Sequence, residues 1–274
     1  MKNRDVLSHD LKTFNLISTL ISLINTNNDD DINSIFARYF LEHLEQLDSI
    51  SIYDIAEDCY TSRSSVQRFI KDIGFDSYSN LKSKVQESLR HNDRYRKFYK
   101  TKDFKKSYRQ SIDEMFDSFD RFYDSEHLDY FVDLIHISKT LVFSIAEGSS
   151  VAPFDFQEAL VSLNKQARII TNNAKSSKLL ESLNENDTLI TLSMTGNYAL
   201  ATLGDIENIN TNKVLITLNH SEIFTGIYDK IIYFGNDDSS QDYIQDGLRN
   251  AYTIYGFNYF FDLVLNRYFE KYSD

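Results

Sequence analysis

Between Ser62 and Lys71 the chain carries Ser62, Arg63, Ser64, Ser65, Gln67, Arg68 and Lys71, while Val66, Phe69, Ile70 and Ile73 keep helical spacing among them. A helix that buries the four apolar side chains turns the polar ones outward. These types suit one kind of chemistry: arginine pairs bidentately with guanine, glutamine with adenine, and hydroxyls and lysine donate to phosphate oxygens. A second constellation lies in two short segments, Ala146-Glu147-Gly148-Ser149-Ser150 and Ser193-Met194-Thr195-Gly196-Asn197-Tyr198. Glycine lets backbone amides approach an anion, hydroxyls donate to it, and a following helix N-terminus favours negative charge. Gly148, Ser149, Ser150, Ser193, Thr195, Gly196 and Asn197 are therefore candidate effector-binding residues. Either segment alone is equally an ordinary turn.

The outward face of the first constellation needs a partner helix to hold it. Ile52, Ile55 and Ala56 give the preceding segment an inner face, Ser62 is a natural N-cap, and Gly74 is a natural helix stop. Two helices and a turn equally suit plain packing, and local charge separates the readings. Between Thr61 and Arg109 stand 14 basic and five acidic residues, against 15 basic and 36 acidic elsewhere, within a net charge of −12. A basic island on an acidic chain fits a local nucleic-acid face.

Helical periodicity extends from the N-terminus to about residue 136. Leu7, Leu11, Phe14, Ile17, Leu20, Ile21 and Ile24 keep it, as do Ile35, Tyr39, Phe40 and Leu44, and the acidic run Asn27–Asp31 between them can cap the second helix. From about Lys139 short β-branched runs, Thr140–Ile145, Ala167–Thr171, Thr188–Ser193, Lys213–Asn219 and Lys230–Phe234, alternate with helical patterns at 152–165, 175–184, 197–209 and 241–270. This alternation predicts βαβ units around a parallel sheet buried on both faces. With strand order 2-1-3-4-5, both candidate anion loops fall at the one crevice where the order reverses. The aromatic stripe of the last segment, Tyr252 to Phe269, reads as packing.

The single Cys59 excludes an intrachain disulfide and a thiolate metal cluster, and the six histidines show no paired metal-ligand spacing, so neither metal nor cofactor is expected. No stretch has the length of apolar residues that a membrane helix needs, and Met1–Lys12 lacks a signal-peptide core. A cytoplasmic protein without membrane association is the expectation.

Thr61-Ser62-Arg63-Ser64-Ser65-Val66-Gln67-Arg68-Phe69, followed by Ile73-Gly74-Phe75-Asp76-Ser77-Tyr78-Ser79-Asn80-Leu81-Lys82, resembles the N-terminal domain of RpiR-type (MurR/RpiR) transcriptional regulators over roughly residues 30–90. Tyr60 departs from it, since the family's turn usually has a small residue there. The two hydroxyl loops resemble those of the SIS (sugar isomerase) domain, which would cover about residues 125–274. The family pattern Gly-x-Gly-x-Ser has lost its first glycine to Ala146, and Ser-x-[Ser/Thr]-Gly-x-Thr has Tyr198 in place of its last hydroxyl. The resemblance implies an all-α helix-turn-helix domain over 1–90, a basic helical linker over 91–124, and an α/β SIS-like sensor and dimerisation domain with a five-stranded parallel sheet over 125–274. It implies two partners, a double-stranded DNA operator and a phosphorylated sugar held by Ser150, Ser193 and Thr195, and a homo-oligomer, dimer or tetramer. Two alternatives remain: a sugar-phosphate isomerase, with Glu147, His220 or Glu222 as base, and a regulator whose SIS domain has lost its ligand and only dimerises.

Overall fold

The computed structural model describes residues 16–146, 151–171, 174–234 and 251–272. The periodic positions Leu7, Leu11 and Phe14, the loop residues Glu147, Gly148, Ser149 and Ser150, and the start of the last helical pattern at 241–250 lie outside the described residues. The chain divides into two compact units, one ending at Tyr99 and the other running from Lys100.

Helices alone build the first unit among its described residues: α1 (Leu16–Thr26), α2 (Ile32–Glu42), α3 (Ile52–Asp58), α4 (Arg63–Asp72) and α5 (Tyr78–Tyr99). Asp31 caps α2, its carboxylate accepting from the Asn33 amide at 2.8 Å, so the acidic run does start that helix. Of the stripe read from the sequence, only Phe40 lies on the buried face, which is rotated toward Phe36. Ser34, Phe36, Ala37 and Phe40 form the buried face of α2, whereas Ile35, Tyr39 and Leu44 are only partly buried. The reason is Phe69 of α4, whose ring lies 5.0 Å from that of Phe36 and 5.7 Å from that of Phe40. Val66, Ile70, Ile55 and Leu81 close the same core. Tyr39 ties α2 to α3 at its edge, its hydroxyl donating to Asp58 at 2.7 Å.

The second unit comprises α6 (Phe104–Tyr123), α7 (Glu126–Ile137), β1 (Thr140–Ile145), α8 (Ala152–Ser162), β2 (Gln166–Ile170), α9 (Ala174–Glu181), β3 (Asp187–Leu192), α10 (Asn197–Ile206), β4 (Asn212–Thr217), a 3-10 turn (Glu222–Phe224), β5 (Lys230–Tyr233), and a π-helical turn (Tyr252–Gly256) running into α11 (Phe257–Tyr272). All strand pairs are parallel, in the order β2-β1-β3-β4-β5. This is the anticipated sheet, with β2, β3 and β4 each beginning one residue earlier than the patterns indicate.

Period-two alternation sends neighbouring strand residues to opposite faces. Leu141, Phe143, Ile190, Val214 and Ile216 meet Phe119, Phe131, Phe156 and Phe260 on one side, and Val142, Leu189 and Leu215 meet Ala199, Ile206 and Phe224 on the other. The aromatics Phe257, Phe260, Phe261 and Tyr268 of α11 are buried, as a packing role requires. At Gly256 a Cβ would sit 3.0 Å from the Phe119 ring, so the approach of this turn to α6 depends on the missing side chain.

Because Phe69 is the contact between α4 and α2 and is 2% exposed, Phe69→Ala removes the support of the whole polar face of α4. We expect a loss of about 3–5 kcal/mol, typical of a buried phenylalanine, in urea denaturation of the full chain.

Candidate nucleic-acid face and anion crevice

Both helices of the first pair begin on serine caps. Ser51 Oγ accepts from the Asp54 amide at 3.2 Å, and the Asp54 carboxylate accepts from the Ser51 amide at 2.7 Å, a capping box. The backbone bond from Ser51 holds the Asp54 carboxyl below the usual carboxylate range. Ser62 caps α4, accepting from the Ser65 amide at 3.2 Å. Its hydroxyl also lies 2.8 Å from that of Ser64 and 2.9 Å from that of Ser65, a cluster of three hydroxyls at the start of the helix.

Past this cap, Arg63, Ser64, Gln67, Arg68 and Lys71 are exposed and Ser65 is half-buried, over the buried Val66, Phe69 and Ile70. The structure thus brings all seven expected nucleic-acid residues to the outside of α4 or its cap. It also adds a residue that sequence spacing missed: Tyr53 of α3 places its ring 4.0 Å beneath the Arg63 guanidinium. Stacking fixes a flexible side chain without consuming its hydrogen-bond donors. The only sequence signal was an unpaired tyrosine next to the first helix's apolar face, which carries no information about the crossing of α3 and α4.

At the sheet, the strand order reverses between β1 and β3, and the Ser193–Tyr198 loop leaves the C-terminal end of β3 at that point. Ala146, the described part of the other loop, follows β1 and is buried. Gly196 has φ +77°, and a Cβ there would meet Asn219 Nδ2 at 2.5 Å. This position needs glycine for two reasons, backbone conformation and space. Asn219 in turn donates from Nδ2 to the Thr195 carbonyl at 2.9 Å and thereby clamps the loop after β3 to the end of β4. It is a second residue not anticipated from the sequence.

The hydroxyls of this loop already serve the helix behind it. Ser193 Oγ accepts from the Ala199 amide at 3.1 Å, and Thr195 Oγ1 accepts from the Asn197 amide at 3.4 Å. Each hydroxyl keeps its own proton for donation. Ser193 is buried, whereas Thr195 is half-buried and Asn197 exposed. Tyr198 turns inward, is 4% exposed, and its hydroxyl lies 3.0 Å from Ser144 Oγ on β1. The phenol therefore ties the start of α10 to β1, beside the point where the strand order reverses. Beside it the Tyr228 hydroxyl, near Thr191 and Thr202, closes a sound hydrogen bond to neither among the described residues. Burial pushes both phenols up to about 12.

Of the groups weighed for catalysis, Glu147 lies outside the described residues, Glu222 opens the 3-10 turn, and His220 stacks on Tyr233 at 4.4 Å. Among the described residues no helix is long and apolar enough to cross a membrane.

Residues 26–92 match the helix-turn-helix domain of the rpiR family. No curated protein matches the chain. Among solved structures, the chain is similar to the Vibrio vulnificus NanR protein complexed with ManNAc-6P, at 18% identity over 94% of this chain and 92% of that one, with a TM-score of 0.49. It is also similar to the sugar isomerase domain of an RpiR transcription factor from Sphaerobacter thermophilus, at 14% identity over 61% and 87% of the two chains, TM-score 0.46. A third is a Methanococcus jannaschii protein with an inferred 3-hexulose-6-phosphate isomerase function, at 22% identity over 60% and 88%, TM-score 0.43.

The raised phenols make a pH prediction. Below about pH 10, the ordinary tyrosine value, both are neutral folded or unfolded and pH has no leverage through them. As pH climbs from there through about 12, the unfolded chain ionises first and stability falls. Tyr198→Phe is expected to lessen this alkaline loss without abolishing it, since Tyr228 remains, while costing about 0.5–1.5 kcal/mol at neutral pH for the hydrogen bond to Ser144. Urea denaturation at pH 7, 10 and 11 checks both signs.

Proposed function

We propose, on the premise that residues 26–92 are an rpiR-family helix-turn-helix domain, that this protein is a cytoplasmic, non-catalytic transcriptional regulator whose affinity for a DNA operator is set by a phosphorylated sugar bound at the crevice of its α/β unit. One observation carries the DNA half of this reading. α4 buries Val66, Phe69 and Ile70 and presents Arg63, Ser64, Gln67, Arg68 and Lys71 to solvent, with Arg63 steadied on Tyr53. That is the arrangement in which a recognition helix enters the major groove. A helix of ten residues reads only a few base pairs, which favours a homo-oligomer that pairs half-sites.

The effector half rests on the resemblance of the two loops and on the sheet order, which supports a ligand crevice between β1 and β3. Thr195 and Asn197 are its reachable polar groups on the β3 side, with Ser193 as the helix cap behind them. A second reading is favoured by Tyr198. A phenol bonded to Ser144 fills space where the family pattern has a smaller hydroxyl residue, and a unit so filled serves as a dimerisation scaffold without a ligand.

Alanine at Arg63, Gln67 or Arg68 is expected to weaken binding to the DNA upstream of the protein's own gene. A base-reading residue should cost about 1–3 kcal/mol and relax specificity, whereas a phosphate contact should weaken all sequences alike and flatten the salt slope. Titration over a range of salt concentrations separates the two, and unchanged binding in all three variants refutes the DNA reading.

For the effector, thermal melting against a panel of hexose and pentose phosphates should show a rise of RT ln(1 + [L]/Kd) in stability with one of them. The rise should shrink in Thr195→Ala. No rise with any member selects the scaffold reading.

A further inference from the structure

Among the described residues, three helix ends close in the same way. α4 ends with the Gly74 amide donating to the Lys71 carbonyl at 2.9 Å and the Phe75 amide to that of Ile70 at 2.9 Å. α8 ends with Asn164 to Val161 at 3.0 Å and Lys165 to Leu160 at 3.0 Å, and α3 with Tyr60 to Glu57 at 3.0 Å and Thr61 to Ala56 at 2.8 Å. This pair of bonds is the Schellman motif, which places its pivot residue in the left-handed region. The pivots are Gly74 at φ 99°, Asn164 at φ 54° and Tyr60 at φ 51°. Glycine meets no steric penalty there and asparagine is tolerated, but a bulky side chain is strained.

Among the described residues, no side-chain contact offsets the strain at Tyr60. Its side chain is 98% exposed and, among the described residues, makes no hydrogen bond or ring contact. Position matters as well as exposure. Tyr60 stands two residues before the Ser62 cap, about 7 Å along the chain, at the end of α4 that leads into the groove in helix-turn-helix docking. Among the described residues of this unit, the next most exposed aromatic is Tyr53 at 62%, which already carries Arg63. Two exposed tyrosines thus flank the start of the basic helix.

We propose that Tyr60 is a DNA-contacting residue of the turn, its ring lying against deoxyribose and its hydroxyl donating to a backbone phosphate, so that folding stability is given up for operator affinity. Tyrosine hydroxyls are among the ordinary donors to phosphate, and an uncharged phenol adds contact without displacing a counterion. The proposal rests on the DNA-binding reading above and deepens it.

The test uses the full chain with Tyr60→Gly and Tyr60→Asn, the residues that the other two motifs carry. Melting temperature is followed alone, and binding is titrated on the DNA upstream of the gene and on a random-sequence duplex of equal length. Both variants should melt several degrees higher than the natural chain, because the pivot is relieved. Both should bind each duplex at least about fivefold more weakly, with an unchanged salt slope, since no cation is lost. Higher stability with undiminished DNA binding overturns the proposal and leaves the exposed ring to another macromolecule. A flattened salt slope also overturns it, because the loss would then lie in a displaced basic contact. If the natural chain binds neither duplex, the DNA reading itself fails, which is a distinct result.

Discussion

Every helix starts with backbone amides that have no carbonyl one turn behind them, and a fold must satisfy them with side chains or solvent. In this protein the requirement governs both places where chemistry was sought. Ser62 meets it for α4 and gathers the hydroxyls of Ser64 and Ser65 around itself. Ser193 and Thr195 meet it for α10, accepting from the amides of Ala199 and Asn197. Asp31 and Ser51 do the same for α2 and α3. Hydroxyl residues that read as ligand donors are thus committed first to folding, and any ligand shares them.

That sharing is chemically consistent, because a hydroxyl that accepts from an amide still has its proton to give. A bound phosphate would add to the cap instead of replacing it. The caps of α10 and the contact to β1 are coupled through one short segment. Gly196 turns the chain at φ +77° against Asn219, and Tyr198, two residues on, is anchored on Ser144 of β1. A ligand that pushed on this segment would act on β1, β3 and β4 together, the three strands that these residues bridge. Small shifts at such a point are transmitted because packed interiors do not deform continuously.

Much of the architecture was legible because it depends on periodicity. Strand β1 ends where its apolar run ends, the parallel order follows from alternation with helices, and Ser62 and Gly74 announce the ends of α4. The errors occur where periodicity is ambiguous. On α2 the sequence stripe holds Phe40 correctly, but whether Ile35 and Tyr39 or Ser34, Phe36 and Ala37 join it inside was decided by the ring of Phe69, which packs on Phe36 and Phe40 from a distant part of the sequence. Neither stripe is more hydrophobic in a way that local spacing reveals. Tyr53 and Asn219 were missed for the same reason: one matters because α3 crosses α4, the other because β4 lies beside β3.

Among the described residues, the amino-acid sequence by itself determined which segments are helix and strand, where α4 starts and stops, and which side of α4 is polar, since each of these depends on neighbours a few residues apart, whereas the patterns after β1, β2 and β3 run about three residues past the ends of α8, α9 and α10. Only the tertiary structure decided the rest. It set Arg63 on Tyr53, anchored Tyr198 on Ser144 of β1, turned two candidate ligands into helix caps, and left Tyr60 strained and exposed. A side chain's availability depends on what distant segments pack against it, and spacing along a chain does not record that.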